Sequence, residues 1–166
     1  YDYDNYKEKI KNTINKEYKI NTYNLDDISF KFIPSPHLLI KKAHLKIDNG
    51  ESDDVSVLKN IKVFISITEL YKSDKFKIKK VLINKANLYL NKQSLINFIK
   101  NLKKNIVNNL IISNSTLFYK NDQNEIILIS KVKNLNYKID FLNNKKNLKI
   151  EGNVFDSNYK FFYEIN

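Results

Sequence analysis

The chain reads as an α+β domain that is mainly β, a curved antiparallel sheet with an N-terminal amphipathic helix and one further helix. Three observations predict it. Apolar and polar residues alternate through most segments after Lys19, the period of a half-buried strand. Only two stretches show helical spacing instead. One unusual spacing also recurs three times, in which apolar positions advance by two, then by three, then by two again.

The clearest copy is Val81, Ile83, Ala86, Leu88 and Leu90 within Phe76 to Asn91. Leu38, Ile40, Ala43, Leu45 and Ile47 repeat it, as do Leu110, Ile112, Ser115, Leu117 and Tyr119. Strand side chains alternate faces, so one extra residue sends everything after it to the wrong side. A step of three with a small residue at the resumption predicts a β-bulge or tight bend that restores the face. The three segments are therefore expected to be bent strands of a repeated β unit.

The elements follow in order. Tyr6, Ile10 and Ile14 fall at steps of four among Lys and Glu, giving a helix over Asp4 to Tyr18 with Asp4 as N-cap. Ile20 and Thr22 make a short strand, and Leu25-Asp26-Asp27 turns. Ile28, Phe30 and Phe32 then face one way along the next strand. Pro34-Ser35-Pro36 halts pairing, since neither proline donates a ladder hydrogen bond. After the first copy comes a polar loop, Asp48 to Asp54, with Asn49-Gly50 as its turn signal. Ile61, Val63, Ile65 and Ile67 form a strictly alternating strand, and Glu69 to Asp74 turns. Behind the second copy, Leu95, Ile96, Phe98, Ile99 and Leu102 predict a helix over Gln93 to Lys104.

Beyond the third copy, Glu125 to Phe141 is a long strand or a bent pair. Ile127 and Ile129 set its phase, and Leu135, Tyr137 and Ile139 continue it past Lys131 and Lys133. Asn143 to Lys146 turns the chain. Leu148, Ile150 and Val154 then oppose a final strand of Tyr159, Phe161, Tyr163 and Ile165, which reads as an edge open to more sheet.

At 166 residues the chain is one domain or a fragment of a longer β structure. It contains no Met, so a processed product or an excised fragment is expected. A hydrophobic content of 42% suffices for a core. The net charge of +11 invites a nucleic-acid or membrane-surface reading. Every basic residue is Lys, however, and Arg is the side chain that binds phosphate bidentately. The lysines are also spread rather than blocked together, as on solvated faces. With no Cys there is no disulfide, thiol nucleophile or zinc-thiolate site. No apolar run approaches the roughly 20 residues of a membrane helix.

Catalytic signals are lacking. Two glycines, Gly50 and Gly152, build no phosphate-cradling loop. His37 and His44 are expected on opposite faces as rim or sheet residues, not as a metal pair. Asp26-Asp27 and Asp53-Asp54 lie in turns, where Asp bonds to backbone. Asn114-Ser115-Thr116 matches a glycosylation sequon and equally marks a bend. The chain is therefore expected to be no enzyme and to need no cofactor.

Ile28 to Ile47, ISFKFIPSPHLLIKKAHLKI, resembles the AsmA-like family: a strand with a Phe-rich end, a Pro-x-Pro corner, then a strand of alternating aliphatics. Leu58 to Asn91 resembles the segment that follows, and Tyr6 to Asn24 the helix and first strand before the corner. The most specific part is Phe30, Phe32, Pro34 and Pro36. Leu25-Asp26-Asp27 departs from the pattern in lacking a glycine, and Ala86 stands where a proline is frequent. The family's N-terminal membrane helix is absent too. The resemblance implies a folded-over β groove with a greasy interior, in a Gram-negative envelope protein held in the inner membrane on its periplasmic side. It further implies a part in phospholipid transport between membranes or in outer-membrane assembly, with no catalytic residues.

The expected lipid groove is an apolar wall of Phe30, Phe32, Leu38, Ile40, Leu45, Ile47, Ile61, Val63, Ile65, Ile67, Val81, Ile83, Leu88, Leu90, Leu110, Ile112, Leu117 and Tyr119. Its expected partners are phospholipid acyl chains, with lysines at the rim as point charges for phosphate headgroups, and a membrane reached through an anchor outside this chain. Two rival readings stay open: a closed structural scaffold, and a basic nucleic-acid-binding β domain with salt-sensitive affinity. Ile83→Asp is expected to damage folding or lipid binding, whereas Lys80→Asp is mild. Chemical denaturation of the two variants checks this, and equal effects would mean that the apolar face lies on the other side.

Overall fold

A computed structural model describes residues 21–31, 33, 35–46, 55–66, 78–103 and 108–165. These form one nine-stranded sheet and one helix. The strands are β1 (Asn21–Lys31), β2 (His37–Lys46), β3 (Ser56–Ile65), β4 (Ile78–Asn84), β5 (Ala86–Leu90), β6 (Asn109–Lys120), β7 (Ile126–Asp140), β8 (Lys145–Val154) and β9 (Ser157–Ile165). The helix α1 spans Lys92–Lys103. The order across the sheet is β1-β2-β3-β4-β6-β7-β8-β9, with β5 continuing β4 between β3 and β6. The expected helix over Asp4 to Tyr18, the loop over Asp48 to Asp54 and the turn over Glu69 to Asp74 lie outside the described residues.

The sheet is mostly antiparallel, with one correction to the expectation. Both β4 and β5 pair parallel with β6. Parallel neighbours need a crossover, and α1 supplies it, rising from the end of β5 and returning the chain to the start of β6. Its first turn is closed by Asn91 at the N-cap. The Asn91 side-chain oxygen accepts from the Ser94 N–H at 2.8 Å, and the Ser94 hydroxyl oxygen accepts from the Asn91 N–H at 2.7 Å. Two of the helix's orphan donors are thereby satisfied reciprocally.

The step of three proves to be shared by the strands from β1 to β7. Ile40 to Ala43, Leu58 to Ile61, Ile83 to Ala86, Ile112 to Ser115 and Val132 to Leu135 all bracket it, with the apolar members in one core cluster. The extra residues stand opposite one another. Asp26 pairs with Lys42 and Ile28 with Ile40, so Asp27 faces Lys41. Lys41 in turn faces Asn60, and Asn114 faces Lys133. Pair positions are therefore kept while β1 to β7 switch faces at the same level. The result is a polar seam running across β1 to β7, and all its members are exposed.

Backbone conformation makes the seam. Asp27, Asn60, Lys85 and Asn114 all have positive φ, at 50°, 49°, 72° and 51°. Asn and Asp tolerate the left-handed region better than other side chains, which is why they recur here. At Lys85 the kink splits one strand into β4 and β5. The Ala86 N–H is then bonded by the Ser115 side-chain oxygen at 2.9 Å, while the Ser115 hydroxyl donates to the Ser113 carbonyl at 2.8 Å. This is why the third copy resumes with Ser rather than Ala. The seam ends between β7 and β8, where the register shifts between Val132 and Asn134 and Lys133 is left over as a bulge.

Two further expectations are corrected. Leu25-Asp26-Asp27 is no turn, because β1 runs unbroken through it with Asp27 as its left-handed residue. In β7 the core phase before the seam is Ser130 and Val132, and Ile127 and Ile129 are 55% and 50% exposed. Ser130 pairs with Leu117, whose face is fixed by the core, and that pairing overrides the greater apolarity of isoleucine.

Asn60→Val places a β-branched side chain at positive φ and is expected to destabilise by about 1–3 kcal/mol, whereas Asn60→Gly stays within about 1 kcal/mol of the parent. Urea midpoints of the two variants check this, and equal losses would remove the conformational account of the seam.

Candidate functional site

The apolar face is organised in rows that cross the sheet perpendicular to the strands. One row runs Ile28, Ile40, Ile61, Ile83, Ile112, Leu135, Ile150 and Phe161, each paired with the next. A second runs Phe30, Leu38, Val63, Val81, Leu110, Tyr137, Leu148 and Tyr163 through the same ladders. Cross-strand aliphatic and aromatic neighbours are the unit of sheet stabilisation, and here they are continuous over eight strands. On the far side of the seam a row of smaller residues follows, with Ala43, Leu58, Ala86, Ser115, Val132 and Gly152.

Of the residues expected to line a groove, Leu38, Ile40, Ile61, Val63, Ile65, Ile83, Leu90 and Ile112 are buried. Phe30, Leu45, Val81, Leu88, Leu110 and Leu117 are half-buried and packed against the same cluster. Tyr119 is half-buried at the far end of β6. Phe32, Ile47 and Ile67 lie outside the described residues. One face thus gathers these residues, and Ile40 among them is only 2% exposed. Sequence reasoning left Leu58, Val132, Leu135, Tyr137, Ile139 and Leu148 out of the wall, although all belong to the cluster. The signal was present in the spacing of Leu58 to Ile61 and of Val132 to Leu135.

Burial fades toward β9. Leu148 is buried and Ile150 half-buried, but their row partners Tyr163 and Phe161 stand 42% and 49% exposed, and their rings stack at 6.4 Å. On the near side of that edge Tyr159 lies over Gly152. A Cβ there would fall 2.5 Å from the Lys131 carbonyl oxygen and 2.6 Å from the Tyr159 hydroxyl, so the position admits no side chain. The Tyr159 hydroxyl is 2.7 Å from the Ser130 hydroxyl, which fixes the ring over the gap.

The opposite face is more polar, although Tyr89 stacks on Phe118 there at 4.8 Å and Ile127, Ile129 and Phe162 are exposed on it, and two further features stand out. His37 stacks on Phe64 at 5.1 Å, with the Lys80 ammonium 5.9 Å from the Phe64 ring. His37 is buried rather than an exposed rim residue, and its Nδ1–H donates to the Ser35 carbonyl at 2.7 Å. The seam also places His37 and His44 on the same face, not on opposite ones, because Leu38, Ile40, Ala43 and Leu45 all point the other way. Seven residue steps along the strand still put them about 23 Å apart, too far to share an ion. The second feature is a shallow, open depression floored by Leu39, Leu82 and Ile111, with Asn60, Asn84 and Asn114 at its seam end. There the Asn114 amide donates to the Asn84 side-chain oxygen at 2.9 Å. Among the described residues no group of three or more His, Cys, Asp or Glu comes together to hold a metal ion. None of their helices is long and apolar enough to cross a membrane.

Charges near the β9 edge are paired but solvated. Glu151 lies 3.0 Å from Lys149 and 3.7 Å from Lys160, and Lys145 lies 2.8 Å from Glu164. The hydrogen bond and charge of Lys149, reinforced by the charge of Lys160, hold the Glu151 carboxyl below its ordinary range. In the β7–β8 turn the Asn143 amide and backbone N–H, with the Leu142 N–H, do the same for Asp140. Buried Tyr137 is pushed the other way, its phenol raised by desolvation.

Both carboxyls have folded-state values below their unfolded ones, so their stabilising effect is complete above about pH 5 and fades as pH falls through the carboxylate range near 4 and below. Thermal midpoints measured down to pH 3 are expected to drop in that window, and by less in an Asp140→Asn/Glu151→Gln variant. An identical pH profile in the variant would exclude these two groups as the source. No protein-family model matches the chain, and neither does any curated protein sequence.

Proposed function

We propose that the chain is a non-enzymatic β module of a bacterial envelope protein of AsmA-like type, and that its apolar face holds phospholipid acyl chains. One observation carries this reading. The apolar rows do not stop where burial stops, but continue onto β9, where Phe161 and Tyr163 remain open to a ligand. An acyl chain suits such a surface because it needs area rather than a specific contact. Each CH₂ it buries contributes about 0.8 kcal/mol, so a few methylenes against two aromatic rings give measurable affinity. The seam is the device that would curve the sheet into a groove, since breaks with left-handed residues bend strands.

On this reading the protein works on the periplasmic side of a Gram-negative inner membrane, anchored through residues outside this chain. Its role is then phospholipid movement between membranes or outer-membrane assembly. A second reading, a closed scaffold without ligand, is favoured by the burial of the rows from β2 to β8, in which Ile40 and Tyr137 are only 2% and 1% exposed.

Mass spectrometry of the purified chain separates the two. Lipid transport predicts co-purified phospholipid and uptake of a fluorescent fatty acid, both reduced several-fold by Phe161→Asp. A lipid-free protein that takes up no fatty acid would overturn the proposal and leave the scaffold.

A further inference from the structure

The edge strand β9 is self-complementary. Among the described residues nothing pairs with its outer side. Its connection to β8 is a two-residue turn in which Phe155 and Asp156 both have positive φ, at 46° and 61°, as in a type I′ hairpin. Such a turn makes Val154 and Ser157 the first hydrogen-bonded pair. Bonding then alternates, so Tyr159, Phe161 and Tyr163 bond to β8. The main-chain groups of Lys160, Phe162 and Glu164 are thereby directed at the free edge. The side chains here are large and apolar on both faces, with Phe162 63% exposed.

We infer that β9 is a homodimer edge, and that a second copy of this chain adds its own β9 antiparallel across a twofold axis at Phe162. The charges select the register. With Phe162 opposite Phe162, Lys160 falls opposite Glu164 of the second copy, twice by symmetry, and Phe161 falls opposite Tyr163. All of these pairs match face to face, because even-numbered residues meet even and odd meet odd. Moving the axis by one residue, to Phe161 or Tyr163, keeps the hydrogen bonds. It puts Lys160 against Phe162 or Phe162 against Glu164 instead, and neither charge finds an opposite. Moving it by two residues sets Lys160 against Lys160 or Glu164 against Glu164, and like charges directly opposite are destabilising.

The existing ion pairs leave room for this. Glu164 is held by Lys145 from one side at 2.8 Å, and the Lys160–Glu151 contact is loose at 3.7 Å. The dimer covers an edge that otherwise exposes unpaired main-chain groups beside three aromatic rings. It also carries the apolar rows across the axis, with Tyr163 meeting the second copy's Phe161 and Phe161 its Tyr163. The pairing itself does not depend on lipid.

Sedimentation velocity of the 166-residue chain over a concentration series tests the inference. A monomer–dimer equilibrium is expected. Lys160→Glu sets two carboxylate pairs face to face and is expected to raise the dissociation constant about tenfold. Lys160→Glu/Glu164→Lys is expected to restore it, even though the swap worsens contacts to Glu151 and Lys145 within each copy. Phe162→Pro removes an outward-pointing N–H and the exposed Phe162 ring without breaking a bond to β8, so it is expected to abolish the dimer while the thermal midpoint stays near that of the parent. A chain that remains monomeric throughout the series overturns the inference, and so does a dimer that Lys160→Glu leaves unchanged.

Discussion

The constraint on which the structure depends is that the strands from β1 to β7 must change faces at one level, together. A sheet with an apolar side tolerates no unilateral insertion, since one extra residue turns the rest of that strand inside out. Here the insertion is made in β1 to β7 in step, so neighbours stay in register and the aliphatic rows stay intact. The conformational strain is placed at exposed Asp27, Asn60, Lys85 and Asn114, where polar side chains are solvated and the left-handed backbone is least costly. A buried position would have left main-chain groups unbonded, and the one that arises, the Ala86 N–H, is met by Ser115.

The seam and the rows together account for composition that first looks unspecific. Asparagine and lysine are abundant in this chain, and part of that abundance is structural. Asn60, Asn84 and Asn114 sit at the seam, while Lys41 faces Asp27 at 2.8 Å with both side chains largely solvated. Such a pair contributes little to stability. The load falls on the rows, where each aliphatic side chain taken out of water contributes about 1.5–3 kcal/mol.

Much of this was legible in the residues. The alternating strands, the helix after Asn91, the proline corner and the three matching steps could all be read, because each depends on local spacing. Others could not. Leu25-Asp26-Asp27 resembles a turn because tolerance of the left-handed region marks turns and breaks alike, and only the partner strand decides which. Ile127 and Ile129 set the apparent phase of β7 because isoleucine is more apolar than Ser130 and Val132. The pairing of Leu117 with Ser130 reverses that. The parallel pairing of β4 with β6 follows from the helix between them. The pairing of β9 with β8 was legible too, since Leu148 and Ile150 do oppose Tyr163 and Phe161 across a two-residue turn, but how far its apolar row stays open was not.

The crossover through α1 divides the sheet into two parts of different kinetic character. From β6 onward each strand meets its neighbour through a tight turn, so pairing there is a local event that closes short loops. Before α1, β4 and β5 cannot gain their partner in β6 until some twenty further residues have been made and folded back. During synthesis β4 and β5 therefore emerge with one flank bare, presenting Val81, Ile83, Leu88 and Leu90 to whatever is near. A nascent chain in that condition is a natural client for a holding chaperone, and the sheet is shielded only when its latter half arrives.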